Sequence, residues 1–321
     1  MSLMAEATTA RRAGGLGQRI LQAFEKLPGR TALSIWVPAV DDAGAWSLSL
    51  HPDRLFFCAS AFKAFVLAEY LRQTDAGTAP LTELLPVDES VWSLSSPVLT
   101  ADIANGLTGL IEARTALEAM ISHSDNTGTD IALKRAGADR VRALIRSLGL
   151  RDTRIPNATR QMFGYLAEVS DWETITWKEL LAALETLPPT GPSLVNDVQT
   201  MASTANDFVT FYSRALQGEL FENAETLTTF RSILALAEDI PMIMPLGVNA
   251  FHKSGSIDFR REHALTLAGG VFIPDRRWAY YSFLINWVDG EGGSTGEVRP
   301  LGIAVLRNIF AWLTDAFGTC C

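Results

Sequence analysis

Ser60-Ala61-Phe62-Lys63-Ala64-Phe65-Val66-Leu67 places a serine and a lysine three residues apart at the start of an apolar run. The run predicts a helix over residues 60–71, and residues three apart share one helix face, so Lys63 can reach the Ser60 hydroxyl. The lysine is selective: the chain has five lysines against 22 arginines. A guanidinium keeps its proton near neutral pH, whereas a desolvated ammonium, or one beside a second cation, gives it up. A serine at a helix start also offers its own N–H to a developing oxyanion, reinforced by the helix dipole. The segment therefore reads as a nucleophile with its base.

Two further motifs follow in order. Ser124-Asp125-Asn126 ends a predicted helix over 110–122, and Lys253-Ser254-Gly255-Ser256 lies in a strand-like run over 250–257. At average residue usage, a Ser-Asp-Asn triplet falls by accident in roughly one such chain in twenty, and Lys-Ser/Thr-Gly in about one in six. Together with the first motif they make a rarer coincidence. Ser124 would carry a proton to a leaving nitrogen, and Asn126 would orient a substrate amide. Lys253 would lower the Lys63 pKa and, with Ser254, attract a carboxylate. The Ser256 N–H would complete an oxyanion hole with that of Ser60.

Around these motifs the chain alternates between patterns. Residues 18–27 show a helical apolar face, and 32–37 and 46–50 read as strands about the turn-rich Asp41-Asp42-Ala43-Gly44. Helical periodicity dominates from 60 to about 237, including 139–148 and 206–216, the latter with Thr204 as N-cap and Asp207 three residues on. Strands return at 250–257, 263–273 and 278–288, the last two joined by Pro274-Asp275-Arg276-Arg277. Gly290 to Gly296 reads as a flexible loop, and a final helix is expected over 300–317. The expected fold is α/β of the α+β kind. It has an antiparallel sheet flanked by helices and built from both chain ends, residues 15–56 and 246–321, plus an all-helical lobe over 57–245. Residues 1–14, containing Gly14 of Gly14-Gly15-Leu16-Gly17, read as a flexible arm. Clefts between lobes hold small-molecule sites.

Composition excludes several classes. A net charge of −9 with arginines scattered in pairs gives no nucleic-acid footprint. The sequence has no apolar run of 18 residues and no secretory h-region, so it reads as cytoplasmic unless an export signal has been trimmed. It shows no metal-ligand cluster and no phosphate loop fed by a strand, and no cofactor is expected. The expected partner is a small molecule and the expected state a monomer. Cys58 reads as a small buried hydrophobe, Cys320-Cys321 as a loose tail, and His123 and His252 as packed or surface residues.

The three motifs, with Ser96-Pro97-Val98 ahead of Ser124, resemble the penicillin-recognising serine enzymes, most closely the class A β-lactamases, over residues 16–317. The resemblance implies a two-lobe fold and acylation of Ser60 by a β-lactam or a D-alanyl peptide. Class A enzymes free the acyl group with a glutamate-held water. Here the corresponding stretch, Thr153 to Phe163, has no acidic residue, and Thr159 stands at the expected place. His252 precedes Lys253 where an acidic residue is common. Slow deacylation is the expectation, on a β-lactam or a related amide or ester. A D,D-peptidase or esterase on the same scaffold, or a non-turnover penicillin-binding sensor, are the alternatives.

Overall fold

Strict two-residue alternation in the long strands explains the layering, because successive side chains of a strand point to opposite faces. The computed structural model describes residues 15–41, 44–99, 106, 108–273 and 277–318. The expected arm over 1–14, Asp42-Ala43, Pro274-Asp275-Arg276 of the predicted hairpin turn and Cys320-Cys321 lie outside the described residues.

Five antiparallel strands form the main sheet in the order β2-β1-β9-β8-β7. They are β1 (Arg30–Val37), β2 (Trp46–Leu50), β7 (Asn249–Phe259), β8 (Glu262–Ile273) and β9 (Arg277–Val288). Both chain ends contribute, as expected, and β1 pairs directly with β9 from Arg30↔Asn286 to Trp36↔Tyr280. Leu33, Ile35, Leu267, Phe283 and Ile285 point to one face and pack under helices α1 (Leu16–Phe24) and α6 (Thr295–Phe317). Ala32, Ala268 and Leu284 point to the other, where α5 (Ala205–Ala215) lies. Thr204 caps α5 through the Asp207 N–H at 3.1 Å, as the sequence indicates.

The helical part is organised around α2 (Lys63–Asp75), buried on nearly all sides, with Phe65 against Phe208 and Phe211 at ring distances of 5.5 and 4.5 Å. Beside it lie α3 (Asn126–Ala136) and α4 (Thr159–Leu166). Short strands complete the chain: β3 (Phe56–Phe57) pairs with β6 (Ala202–Ser203), and β4 (Leu84–Val87) with β5 (Gly109–Glu112). No helix among the described residues is long and apolar enough to cross a membrane.

Three boundaries differ from the sequence reading. Residues 109–112 form strand β5, and the predicted helix begins only at Ala113. The first turn at Ser60 is a 3₁₀ turn over Ala59–Phe62, with α2 starting at Lys63. The last helix starts at Thr295, inside the glycine-rich segment expected to be loop. Ser294 and Glu297 cap its N-terminus reciprocally, and Pro300 sits within it. Pro300 lies in the second turn, where it removes the bond that residue 300 would otherwise give to the Gly296 carbonyl.

Candidate active site

The segment leading into the Ser60 turn is fixed by a side chain and by backbone. Asn286 of β9 accepts from the Phe57 N–H at 2.8 Å and donates to the Phe57 carbonyl at 3.0 Å, and the Cys58 N–H donates to the Met201 carbonyl at 2.8 Å. Strand β7 closes in from another side. A Cβ placed on Gly255 would fall 2.6 Å from both the Cys58 carbonyl and the Ser60 nitrogen, so only glycine lets the strand come this close. Ala59 holds φ of +46°, a left-handed value unfavourable to a side chain. Local strain immediately before the serine turns it toward an opening. Cys58 is fully buried and its thiol pKa is pushed up by that burial, in line with a packing role.

Lys63 is fully buried one turn further on. Its ammonium donates to the Ser124 carbonyl at 2.6 Å, to Ser124 Oγ at 3.2 Å and to Asn126 Oδ1 at 2.7 Å. None of these bonds goes to Ser60, contrary to the expected contact. The reason is chemical: a charged ammonium has three protons and no lone pair, and three acceptors use it up. Burial first, and the field of Lys253 second, hold its pKa well below that of a free lysine; Asp125 and Asp130 pull the other way.

Ser124 sits at φ +58°, a second strained position. It is held by Asp125, whose Oδ1 accepts the Gly128 N–H of α3 at 2.8 Å. Oδ2 accepts the N–H groups of Val98 and Leu99, both at 3.0 Å. Asp125 thus ties the Ser96-Pro97-Val98 loop to the serine turn. Asn126 Nδ2 donates to the Leu94 carbonyl at 2.7 Å, leaving one N–H and a lone pair for any further partner.

Lys253 on β7 is buried, donates to the Ser254 carbonyl at 2.9 Å, and has its pKa lowered to about 8 by burial against the opposing pull of Asp239 and Glu238. Ser60, Ser124, Asn126, Ser254, Gly255 and Ser256 line one pocket of about 930 Å³. The same pocket extends over the β7 edge toward α6. There the buried Gly302 faces open space, with nothing within 4 Å of where a Cβ would stand.

Residues 16–284 match the family described as "Beta-lactamase enzyme family". The chain belongs to that family. Among solved structures, PBP-A is 20% identical at a TM-score of 0.70, with 94% of this chain and 96% of that one covered. A β-lactamase from Chitinophaga pinensis is 17% identical at 0.70 over 94% and 99%, and the TLA-1 extended-spectrum β-lactamase is 16% identical at 0.70 over 96% and 99%. At such identities the likeness speaks for the fold. No curated protein matches the sequence.

Within this β-lactamase-family chain, Thr159 opens α4 fully buried. Its N–H and Oγ1 both donate to Asp130 Oδ1, at 2.6 and 2.8 Å, and Oγ1 lies 2.8 Å from Ser93 Oγ. Asp130 Oδ2 accepts the Arg160 N–H at 3.0 Å. Burial raises the Asp130 pKa to about 6, against these hydrogen bonds.

Sequence reasoning singled out none of Asp130, Asp239 and Arg299. Asp239 lines the pocket and meets His252 Nε2 at 2.8 Å, and Arg299 lines it and donates to Ser256 Oγ at 2.9 Å. His252 is fully buried, as expected of a packed histidine, and His123 is exposed. The carboxylate paired to His252 is thirteen residues away in sequence, so no local pattern announces it.

Proposed function

We propose that this protein is a serine hydrolase acylated at Ser60 by a β-lactam or a related activated amide or ester, and that it releases the acyl group slowly. Lys63, once deprotonated, regains a lone pair and takes the Ser60 proton. Ser60 Oγ then attacks the carbonyl carbon, and the oxyanion forms against the N–H groups of Ser60 and Ser256. As the C–N bond breaks, the Ser124 hydroxyl gives its proton to the leaving nitrogen and is reprotonated from Lys63, with which it shares a 3.2 Å contact. The observation that carries this reading is the buried Lys63 amine bridging the Ser124 turn and Asn126, one turn from Ser60 and behind the pocket that Ser60, Ser124 and Asn126 line. The family match supports it. So does PBP-A, a mutant of which was solved as an acyl-enzyme complex with penicillin G.

Slow release follows from Thr159. Its hydroxyl is spent on Asp130 and Ser93 and is buried, so it has neither the basicity nor the exposure to activate water.

The test is a chromogenic cephalosporin assay with intact-mass detection of the adduct. The wild type should carry one acyl group on Ser60 that outlasts many minutes. Ser60→Ala should carry none, and Lys63→Arg almost none. Fast turnover would refute slow release. Absence of any lactam adduct alongside ester cleavage would replace the lactam reading with an esterase.

A further inference from the structure

Beyond the β7 edge the pocket has an apolar chamber that the acylation chemistry does not use. It lies on the sheet face that carries α1 and α6. Leu265 and Leu267 of β8, with Phe283 and Ile285 of β9, form its floor, and Gly302 and Leu306 of α6 its roof. Leu267, Phe283 and Ile285 are buried, so the chamber is a gap in the layer beneath the helix. It exists because residue 302 has no side chain: Gly302 is buried, yet nothing lies within 4 Å of where its Cβ would stand. Protein interiors are close-packed. A helix glycine beside unfilled apolar space destabilises the fold through backbone freedom and through lost contacts. Two bonds orient the chamber relative to the reaction. The Glu238 N–H donates to the Ser122 carbonyl at 3.3 Å, which puts the segment that follows at the Ser124 end of the cleft. That segment runs into the short helical turn Ile240–Ile243, whose Met242 and Ile243 line the chamber, and Arg307 of α6 donates to the Met242 carbonyl at 2.8 Å. Ser124 is the group that protonates the departing atom, so the chamber opens beside the leaving group. Arg299 stands exposed at its mouth, donating to Ser256 Oγ at 2.9 Å, and the floor and roof behind it are apolar.

We propose that this chamber is a leaving-group subsite for an apolar chain, so that the preferred substrates are esters or amides whose departing alcohol, thiol or amine carries a lipophilic tail. The proposal rests on acylation at Ser60 and names a substrate class for it. The size of the cavity agrees. Its 930 Å³ lies in the upper part of the range of small-molecule pockets and leaves room beyond the reacting bond and its neighbours. The tail would pass the β7 edge at Ser254 and Ser256 and occupy the space that Gly302 leaves open.

The test uses phenylacetyl thioesters of ethanethiol, butanethiol and octanethiol, which share one acyl group and leaving thiols of equal acidity. In each, the Ser60 oxygen–carbonyl bond forms, the C–S bond breaks and the sulfur takes the proton. Every compound therefore leaves the same adduct, whose second-order rate of formation is read by intact mass below the micelle concentration. Burying one methylene is worth about fourfold, so the octyl thioester should acylate Ser60 at least about 30-fold faster than the ethyl one, even with fewer than half of the extra methylenes buried. Gly302→Leu fills the chamber and should bring the octyl-to-ethyl ratio toward one. Gly302→Ala adds a single methyl and should lower the ratio by about fourfold, which decides the matter where the leucine variant does not fold. A wild-type ratio near one, or an unchanged ratio in either folded variant, overturns the proposal. A β-lactam adduct alongside a flat or silent thioester series sinks this proposal alone. No adduct with any lactam or thioester sinks the acylation reading and this one with it.

Discussion

Replacing Lys63 by methionine separates the proton chemistry of the site from its contribution to the fold. Methionine keeps the length and apolar stem of the side chain and removes the amine. Of the three acceptors that lose a donor, Asn126 Oδ1 is buried, and leaving it unpaired costs about 1–3 kcal/mol. The bonds to Ser124 are only partly buried and the residue lines the pocket, so water takes the place of the amine. Against that cost, the variant no longer buries a cation in an apolar setting. The Lys63 pKa is held well below the ordinary lysine value, chiefly by burial, and each pKa unit corresponds to about 1.4 kcal/mol. The terms oppose each other, and the variant should unfold within about 2 kcal/mol of the wild type. Acylation, having lost its base, should fall by about 10²–10⁴. Lys63→Arg should show the same fall while keeping the positive charge. Denaturant unfolding and the rate of Ser60 adduct formation measure the two quantities on the same samples. A methionine variant that acylates within tenfold of the wild type would refute the base role. Loss of activity in step with loss of fold would make Lys63 a structural residue.

Gly255→Ala should lower stability by about 1–3 kcal/mol and acylation by about 10²-fold, because the added methyl meets the Cys58 carbonyl and the Ser60 nitrogen at 2.6 Å and backbone must yield; thermal unfolding with adduct kinetics checks both. Gly302→Ala should stabilise by about 1 kcal/mol, since it removes a helix glycine and its methyl enters open space, with a higher Tm as the readout. Asp130 gives a pH signature. Its folded pKa, about 6, lies above the ordinary aspartate value of 3.8, so its contribution is complete below that lower value and is lost as pH rises through about 6, by about 3 kcal/mol in total. Relative to Asp130→Asn, wild-type stability should therefore fall between pH 4 and 7, and a flat difference in urea midpoints would contradict this.

Candidate site residues were legible where the spacing is local. Ser60 and Lys63 are a helix turn apart, and Ser124 with Asn126 form one turn, so their types announce themselves without knowledge of the fold. The sheet was legible too, because Leu265, Leu267, Phe283 and Ile285 alternate with residues facing the other way. What escaped depends on tertiary pairing. The short strand Gly109–Glu112 merges into the apolar rhythm of the helix after it, and its identity comes only from pairing with Leu84–Val87. The start of α6 was hidden because Pro300 imitates a first helical residue while the capping pair Ser294 and Glu297 lies upstream. The pairing of His252 needs Asp239, and the closure of Thr159 needs Asp130, each brought in from another element.

The partnership of β1 with β9 has a consequence for how the protein is made. Strand β1 is finished within the first forty residues, yet the neighbour that satisfies its inner edge is synthesised about 240 residues later. Throughout that interval a nascent chain carries an open, apolar strand edge and a serine turn without its Gly255 neighbour. Pairing so distant along the chain makes folding slow and the unfinished polypeptide prone to aggregate. Chains halted before residue 249 would contain every helix around Ser60 and still lack one wall of the pocket.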